Sequence, residues 1–196
     1  MILIHDYYSH KETSMQPYLI CLDLDGTLLN DNKEISSYTK QVLTELQQRG
    51  HYIMIATGRP YRASQIYYHE LNMDTPVVNF NGAFVHHPKA KDFETIHEVL
   101  DIEISKNIIS ALQRSHVTNI IAEVKDYVFI NNHDPRLFEG FSMGNPRIQT
   151  GNLLDHLKEA PTSLLVEADE ENIPKIKEML TPVSYTHLRA HETRED

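Results

Sequence analysis

Tyr18-Leu19-Ile20-Cys21-Leu22 is a short apolar run that ends in Asp23-Leu24-Asp25-Gly26-Thr27, and this junction constrains the fold more than any other stretch of the chain. An apolar run of this length, stopped by a glycine turn, reads as a buried strand feeding a tight loop. Two carboxylates one residue apart at a strand's end make a compact anionic seat for a hard cation such as Mg²⁺. That ion takes one or two carboxylates and completes its shell with water and phosphate oxygens. Asp23 stands where it can attack a phosphorus atom. Asp25 can protonate a leaving oxygen and later deprotonate water. Gly26 lets the backbone turn and bring amide donors near an anion. The same D-x-D-G pattern also builds calcium loops and plain turns, so a second element has to decide.

That element is Tyr52-Ile53-Met54-Ile55-Ala56, another apolar run, which ends in Thr57-Gly58-Arg59-Pro60. A threonine hydroxyl and a glycine amide at a strand's end can hold a phosphate, and Pro60 suits the first turn of a following helix. Alone the motif could simply cap a helix. Following the first junction after a single helix, it places two anion-handling loops at the same end of a parallel sheet, where open α/β sheets bind ligands. A third run, Val77-Val78-Asn79-Phe80, leads into Asn81-Gly82-Ala83.

Together the three junctions resemble the haloacid dehalogenase (HAD) superfamily of phosphatases, in its Cof-type branch with a large α/β cap of the IIB kind. The resemblance spans roughly residues 15 to 181. It implies that Asp23 is the nucleophile, forming an aspartyl-phosphate, and that Asp25 is the acid/base. It also implies Mg²⁺ held by Asp23 and Asp25, and phosphate held by Thr57 and Gly58, with Asn81 and Arg59 matching the same pattern. Arg59 also reads as a solvated charge at a helix start, and Asn81 as a turn residue beside Gly82. The family's third-motif lysine and its later acidic metal motif have no counterpart here. Lys175 and Lys177 read instead as solvated charges on an amphipathic helix.

The two ends of the chain carry their own expectations. Residues from Val183 to Thr193 have no helical or strand period and resemble the conceptual translation of a sequencing adapter, so the chain beyond about Thr181 is expected to be read-through and His187 and His191 are discounted as metal ligands. Met15 stands just ahead of the first strand, and residues 1–14 read as an untranslated leader. The expected organisation is leader 1–14, N-terminal core 15–85, incomplete cap 86–181 and adapter-derived tail 182–196. A chain so truncated is expected to be inactive.

Composition narrows the function classes. A net charge of −10 with no basic stripe argues against a nucleic-acid partner. A single cysteine, Cys21, excludes an internal disulfide framework, implies a cytoplasmic location and reads as a small core residue. No apolar stretch approaches transmembrane length.

Between the motifs the pattern alternates as in an α/β fold. Ser36 or Ser37 caps a predicted helix whose apolar residues Tyr38, Val42, Leu43 and Leu46 share a face, and Gly50 ends it. A second helix covers roughly residues 61–71, with Tyr61, Tyr67 and Tyr68 as packing residues. Residues 84–87 and 95–98 read as a hairpin, in which His86 and His87 face opposite ways. A helix carrying Ile104, Ile108, Ile109 and Leu112 follows, then strands 119–124 and 127–130 turned at Lys125-Asp126, a strand at 163–168 and a final helix. The sequence therefore predicts an α/β protein: the N-terminal part of a HAD Rossmann-like parallel sheet with an inserted α/β cap. Its expected activity is Mg²⁺-dependent hydrolysis of a small phosphorylated metabolite, such as a sugar phosphate. The alternatives are a phosphomutase of the same superfamily and a non-catalytic phosphoacceptor module. Neither the particular substrate nor the oligomeric state is legible in the sequence.

Overall fold

The structure is a computed structural model that describes residues 16–184. The leader expected over residues 1–14 lies outside the described residues, as do His187 and His191. Of the expected tail, only the backbone of residues 182–184 is described, as the end of a helix.

Strands β1 (Leu19–Leu22) and β2 (Tyr52–Ile55) pair in parallel, with Leu19 opposite Tyr52 and Leu22 opposite Ile55. A parallel bridge between Ala56 and Val78 joins β3 (Val77–Asn79) to β2. Helix α1 (Ser37–Gln48) connects β1 to β2, and α2 (Tyr61–Glu70) connects β2 to β3. Ser36 caps α1 by accepting from Thr39 N–H, and Gly50 at φ +87° follows its end, a left-handed residue where glycine is unstrained. Leu24, Ile53, Ile55, Tyr68, Met73 and Val77 are fully or almost fully buried in one cluster between the strands and these helices. Each such leucine, isoleucine or valine contributes about 1.5–3 kcal/mol relative to exposure. The three tyrosines pack as expected: Tyr67 donates to Lys33 O, Tyr68 to Thr75 O, and Tyr61 stands edge-on to Tyr68.

Two sequence expectations fail in this layer. Cys21 is exposed. Ile20 and Leu22 turn towards the helices, so Cys21 shares the opposite pleat face with Leu19 and, across the pair, Tyr52; the latter two are 58% and 56% exposed. Tyr38, expected on the apolar face of α1, is 77% exposed. Leu43 sets the packed direction of that helix, and five residues back along it Tyr38 points about 140° away.

Strand β3 continues through a tight turn into β4 (Phe84–His86), which pairs antiparallel with both β3 and β5 (Ile96–His97), the expected hairpin. Beyond it lies a four-stranded sheet of order β8-β7-β6-β9. Its strands are β6 (Asn119–Val124), β7 (Tyr127–Ile130), β8 (Arg147–Thr150) and β9 (Ser163–Glu167). The β7–β8 pair is parallel and the other two pairs are antiparallel. Helices α3 (Ile102–Gln113), α5 (Leu153–His156) and α6 (Ile173–Ser184) pack into one cluster with β6, while α4 (Pro135–Phe141) contributes Leu137, Phe138 and Phe141 to another. Lys175 and Lys177 lie exposed on α6, as the solvated reading requires.

Candidate active site

Because β1, β2 and β3 run parallel, the loops that follow them leave from one edge of the sheet. After β1, Asp23 keeps extended backbone angles, then Leu24–Leu28 folds into a tight turn with Gly26 at φ +72°. Leu28 N–H donates to Asp23 O at 3.2 Å and Leu29 N–H to Leu24 O at 2.9 Å. Leu24 and Leu28 are buried beneath the turn, so the intervening polar residues are held outward by apolar anchors. Asp23 is exposed and Asp25 half-exposed.

After β2, Thr57 is buried, its N–H donating to Val78 O at 2.9 Å and its carbonyl accepting from Asn81 N–H at 3.1 Å. Its hydroxyl oxygen accepts from Arg59 N–H at 3.2 Å. Gly58 is needed for a close approach: a Cβ there would stand 3.0 Å from both the amide oxygen and the amide nitrogen of Asn81. Phe80, Asn81 and Gly82 follow β3 with φ of +49°, +55° and +105°. Three left-handed residues in succession, one of them a phenylalanine, are strained backbone of a kind that clusters at functional sites.

Arg59 meets Asp25 in a forked ion pair, Nε to Oδ2 and Nη2 to Oδ1, each at 2.7 Å. Lys33 Nζ adds a contact to Oδ1 at 2.8 Å. The Arg59 hydrogen bonds, against some desolvation and with help from Lys33, hold the Asp25 carboxyl well below the usual carboxylate range. Two cations in contact with the carboxylate favour its charged form and outweigh the cost of its partial burial.

Thr57, Gly58, Arg59 and Asn81 are thus mutually connected, and Arg59 links them to Asp25. Asn79 was missed as a site residue. It is fully buried, and its amide nitrogen donates to Arg59 O at 2.9 Å and to Ser64 Oγ at 3.0 Å, fixing the backbone that carries Arg59. The available signal was an asparagine ending an apolar run, a polar group that needs partners when buried. From the other sheet's side, Met143 Sδ lies 3.5 Å from Arg59 Nη1.

The donor set suits magnesium in kind, since Asp23 and Asp25 offer hard oxygens, but Asp25 is engaged by cations. Among the described residues, no three of His, Cys, Asp and Glu gather as a metal site. Also among the described residues, no helix is long and apolar enough to cross a membrane.

A family model described as haloacid dehalogenase-like hydrolase matches residues 20–193. The chain is 44% identical over 168 residues to the Bacillus subtilis 5-amino-6-(5-phospho-D-ribitylamino)uracil phosphatase YitU, covering 86% of this chain and 62% of that protein. A crystal structure of a haloacid dehalogenase-like hydrolase from Bacteroides thetaiotaomicron superposes with a TM-score of 0.70 at 25% identity, over 84% of this chain and 63% of that one. A HAD subclass IIB sugar phosphatase shares the fold, with a TM-score of 0.65 at 20% identity, over 83% of this chain and 63% of that one. The chain therefore spans a little over three-fifths of the length of these relatives.

Proposed function

The chain belongs to the haloacid dehalogenase-like hydrolase family, in its Cof-type phosphatase branch, and from that premise we propose that it hydrolyses a phosphate monoester of a small metabolite. The observation that carries this reading is the convergence of the Asp23 turn, the Thr57-Gly58 loop and the strained Asn81 turn on one sheet edge, joined by the Arg59–Asp25 pair. The substrate class proposed is a phosphorylated sugar or polyol, in keeping with the ribityl phosphate in the name of the 44%-identical relative. The location proposed is the cytoplasm.

In the first step an Asp23 carboxylate oxygen attacks phosphorus, the ester P–O bond breaks, and Asp25 gives its proton to the leaving oxygen. In the second, water attacks phosphorus while Asp25 takes a proton from it, and the bond to Asp23 breaks to free inorganic phosphate and restore both side chains. Thr57 and the amides of the neighbouring loop bind the phosphoryl oxygens. Arg59 and Lys33 must leave Asp25 before it can carry a proton. An incoming phosphoryl dianion, a stronger partner for both cations than a carboxylate, supplies the reason for them to move. Asp23 and the backbone carbonyl of Asp25 are the groups proposed to hold Mg²⁺, together with phosphate and water. When bound, the ion neutralises charge on the phosphoryl oxygens.

The test is a comparison of the full-length protein with its D23N variant on a panel of sugar and polyol phosphates with Mg²⁺. Release of phosphate by the parent and its loss in D23N are expected, with borohydride trapping the aspartyl-phosphate in the parent alone. Comparable phosphate release by D23N would overturn the reading.

A further inference from the structure

The first turn of α2 lies between the candidate site and the four-stranded sheet. Three residues after Arg59, Arg62 is 5% exposed and sends Nη2 to Glu123 Oε1 of β6 at 2.6 Å. Its Nη1 donates to the carbonyl oxygen of Lys125, in the β6–β7 turn, at 3.2 Å. Glu123 is equally buried, and its other oxygen accepts from Ser163 Oγ of β9 at 3.0 Å. The remaining Arg62 donor, Nε, is buried without a partner. Gly144, at φ +78°, comes so close to α2 that a Cβ there would overlap the carbonyl oxygen of Arg62. Next to it Tyr61 stands edge-on to His86 of β4, ring centres 4.5 Å apart.

We propose that Arg62 is a positioning residue that registers the second lobe over the Asp23 edge of the core, acting through Glu123 and the Lys125 carbonyl without touching substrate. A buried ion pair adds little net stability, because desolvation offsets its attraction. What a guanidinium does supply is direction: its planar fork satisfies two acceptors in one relative placement only. Apolar side chains across a lobe boundary permit sliding, and this pair does not. The turn that carries Arg62 begins two residues after Arg59, so a shift of the second lobe pulls on the same backbone that delivers the Arg59 guanidinium to Asp25. Met143, next to the closely approaching Gly144, already touches that guanidinium.

Lobe placement is measured without turnover, so a negative result leaves the phosphatase assignment standing, and the reverse holds too. In the full chain, Cys21→Ser removes the one cysteine, and spin labels go on exposed Gln41 of α1 and exposed Lys175 of α6. Double electron–electron resonance then reads the distance between them. The C21S parent gives a single narrow distribution. R62M/E123M, which leaves no buried charge behind, keeps the parent's circular dichroism and gives a distribution about twofold wider. A parental width in this variant overturns the proposal. Should the variant fail to fold, E123Q, which keeps the shape and loses the charge, decides: a widened distribution supports the proposal and a parental one overturns it.

Discussion

Arg59 grips both carboxylate oxygens of Asp25 at 2.7 Å, and the guanidinium is the more buried partner, 16% exposed against 32%. Fork-on-fork pairs are short, directional and about twice as strong as neutral hydrogen bonds. In this arrangement Asp25 is an anion whose two oxygens accept three hydrogen bonds from two cations. A proton-carrying Asp25 belongs to a different arrangement, in which Arg59 has found another anion.

Replacing Arg59 should therefore be visible at Asp25 itself. In R59A the carboxyl loses its largest stabilising partner and keeps only Lys33 against the cost of burial, so its pKa rises. Carbon-detected NMR titration of the Asp25 side chain measures this. An Asp25 that titrates identically in parent and R59A would show that the pair does not persist in solution.

Gly58 offers a second test, because its role is steric. A methyl group at this position would press on the Asn81 amide at 3.0 Å, closer than ordinary van der Waals contact. Asn81 sits in strained backbone and its N–H holds the Thr57 carbonyl, so it has little room to yield. G58A should cost about 1–3 kcal/mol, the usual range for overpacking. Urea denaturation reads the loss, and amide exchange at Asn81 should rise with it. Unchanged stability would mean that the Asn81 side chain swings away freely.

Much of this was legible in the residues, for identifiable reasons. The three strand-to-loop junctions announce themselves because each joins an apolar run to a glycine-bearing polar turn, and α1, α2 and α3 because their apolar spacing is helical. The pieces between residues 131 and 162 were not legible. Helix α4 has seven residues and α5 four, too short for a helical period to stand out, and β8 reads Arg147-Ile148-Gln149-Thr150 with one apolar residue. Cys21 was misplaced because a strand's composition does not say which pleat face is covered. The Arg59–Asp25 and Arg62–Glu123 pairs join residues 34 and 61 positions apart, and no local pattern encodes such partners.

The Arg62–Glu123 pair predicts an asymmetry between single and double substitutions. R62M strands a buried carboxylate and should cost about 3–5 kcal/mol, whereas R62M/E123M removes both charges and should be neutral or stabilising. Urea melts of the two variants beside the parent check this. Equal destabilisation by both would show that Arg62 packs rather than pairs.

The last prediction concerns acidity at the junction of the lobes. His86 stacks on Phe84 with ring centres 4.6 Å apart, stands edge-on to Tyr61, and has its Nε2 buried without a partner. Burial pushes its pKa below 6.5; His87 lowers it further and Asp126 opposes the shift. His97, paired with Thr162 at 2.9 Å, is lowered as well, first by burial and then by Lys125. A histidine with a depressed folded pKa binds its proton more readily in the unfolded chain. Its neutral form leaves stability intact above the unfolded value of 6.5, and stability is lost as pH falls from there towards the folded pKa. The parent should therefore become less stable in urea from about pH 7 to pH 5. H86F preserves the ring contacts and removes the titration, so it should lose less over the same window, with His97 supplying part of the slope that remains. Identical slopes for parent and H86F would mean that His86 reaches water in solution and takes up its proton without penalty.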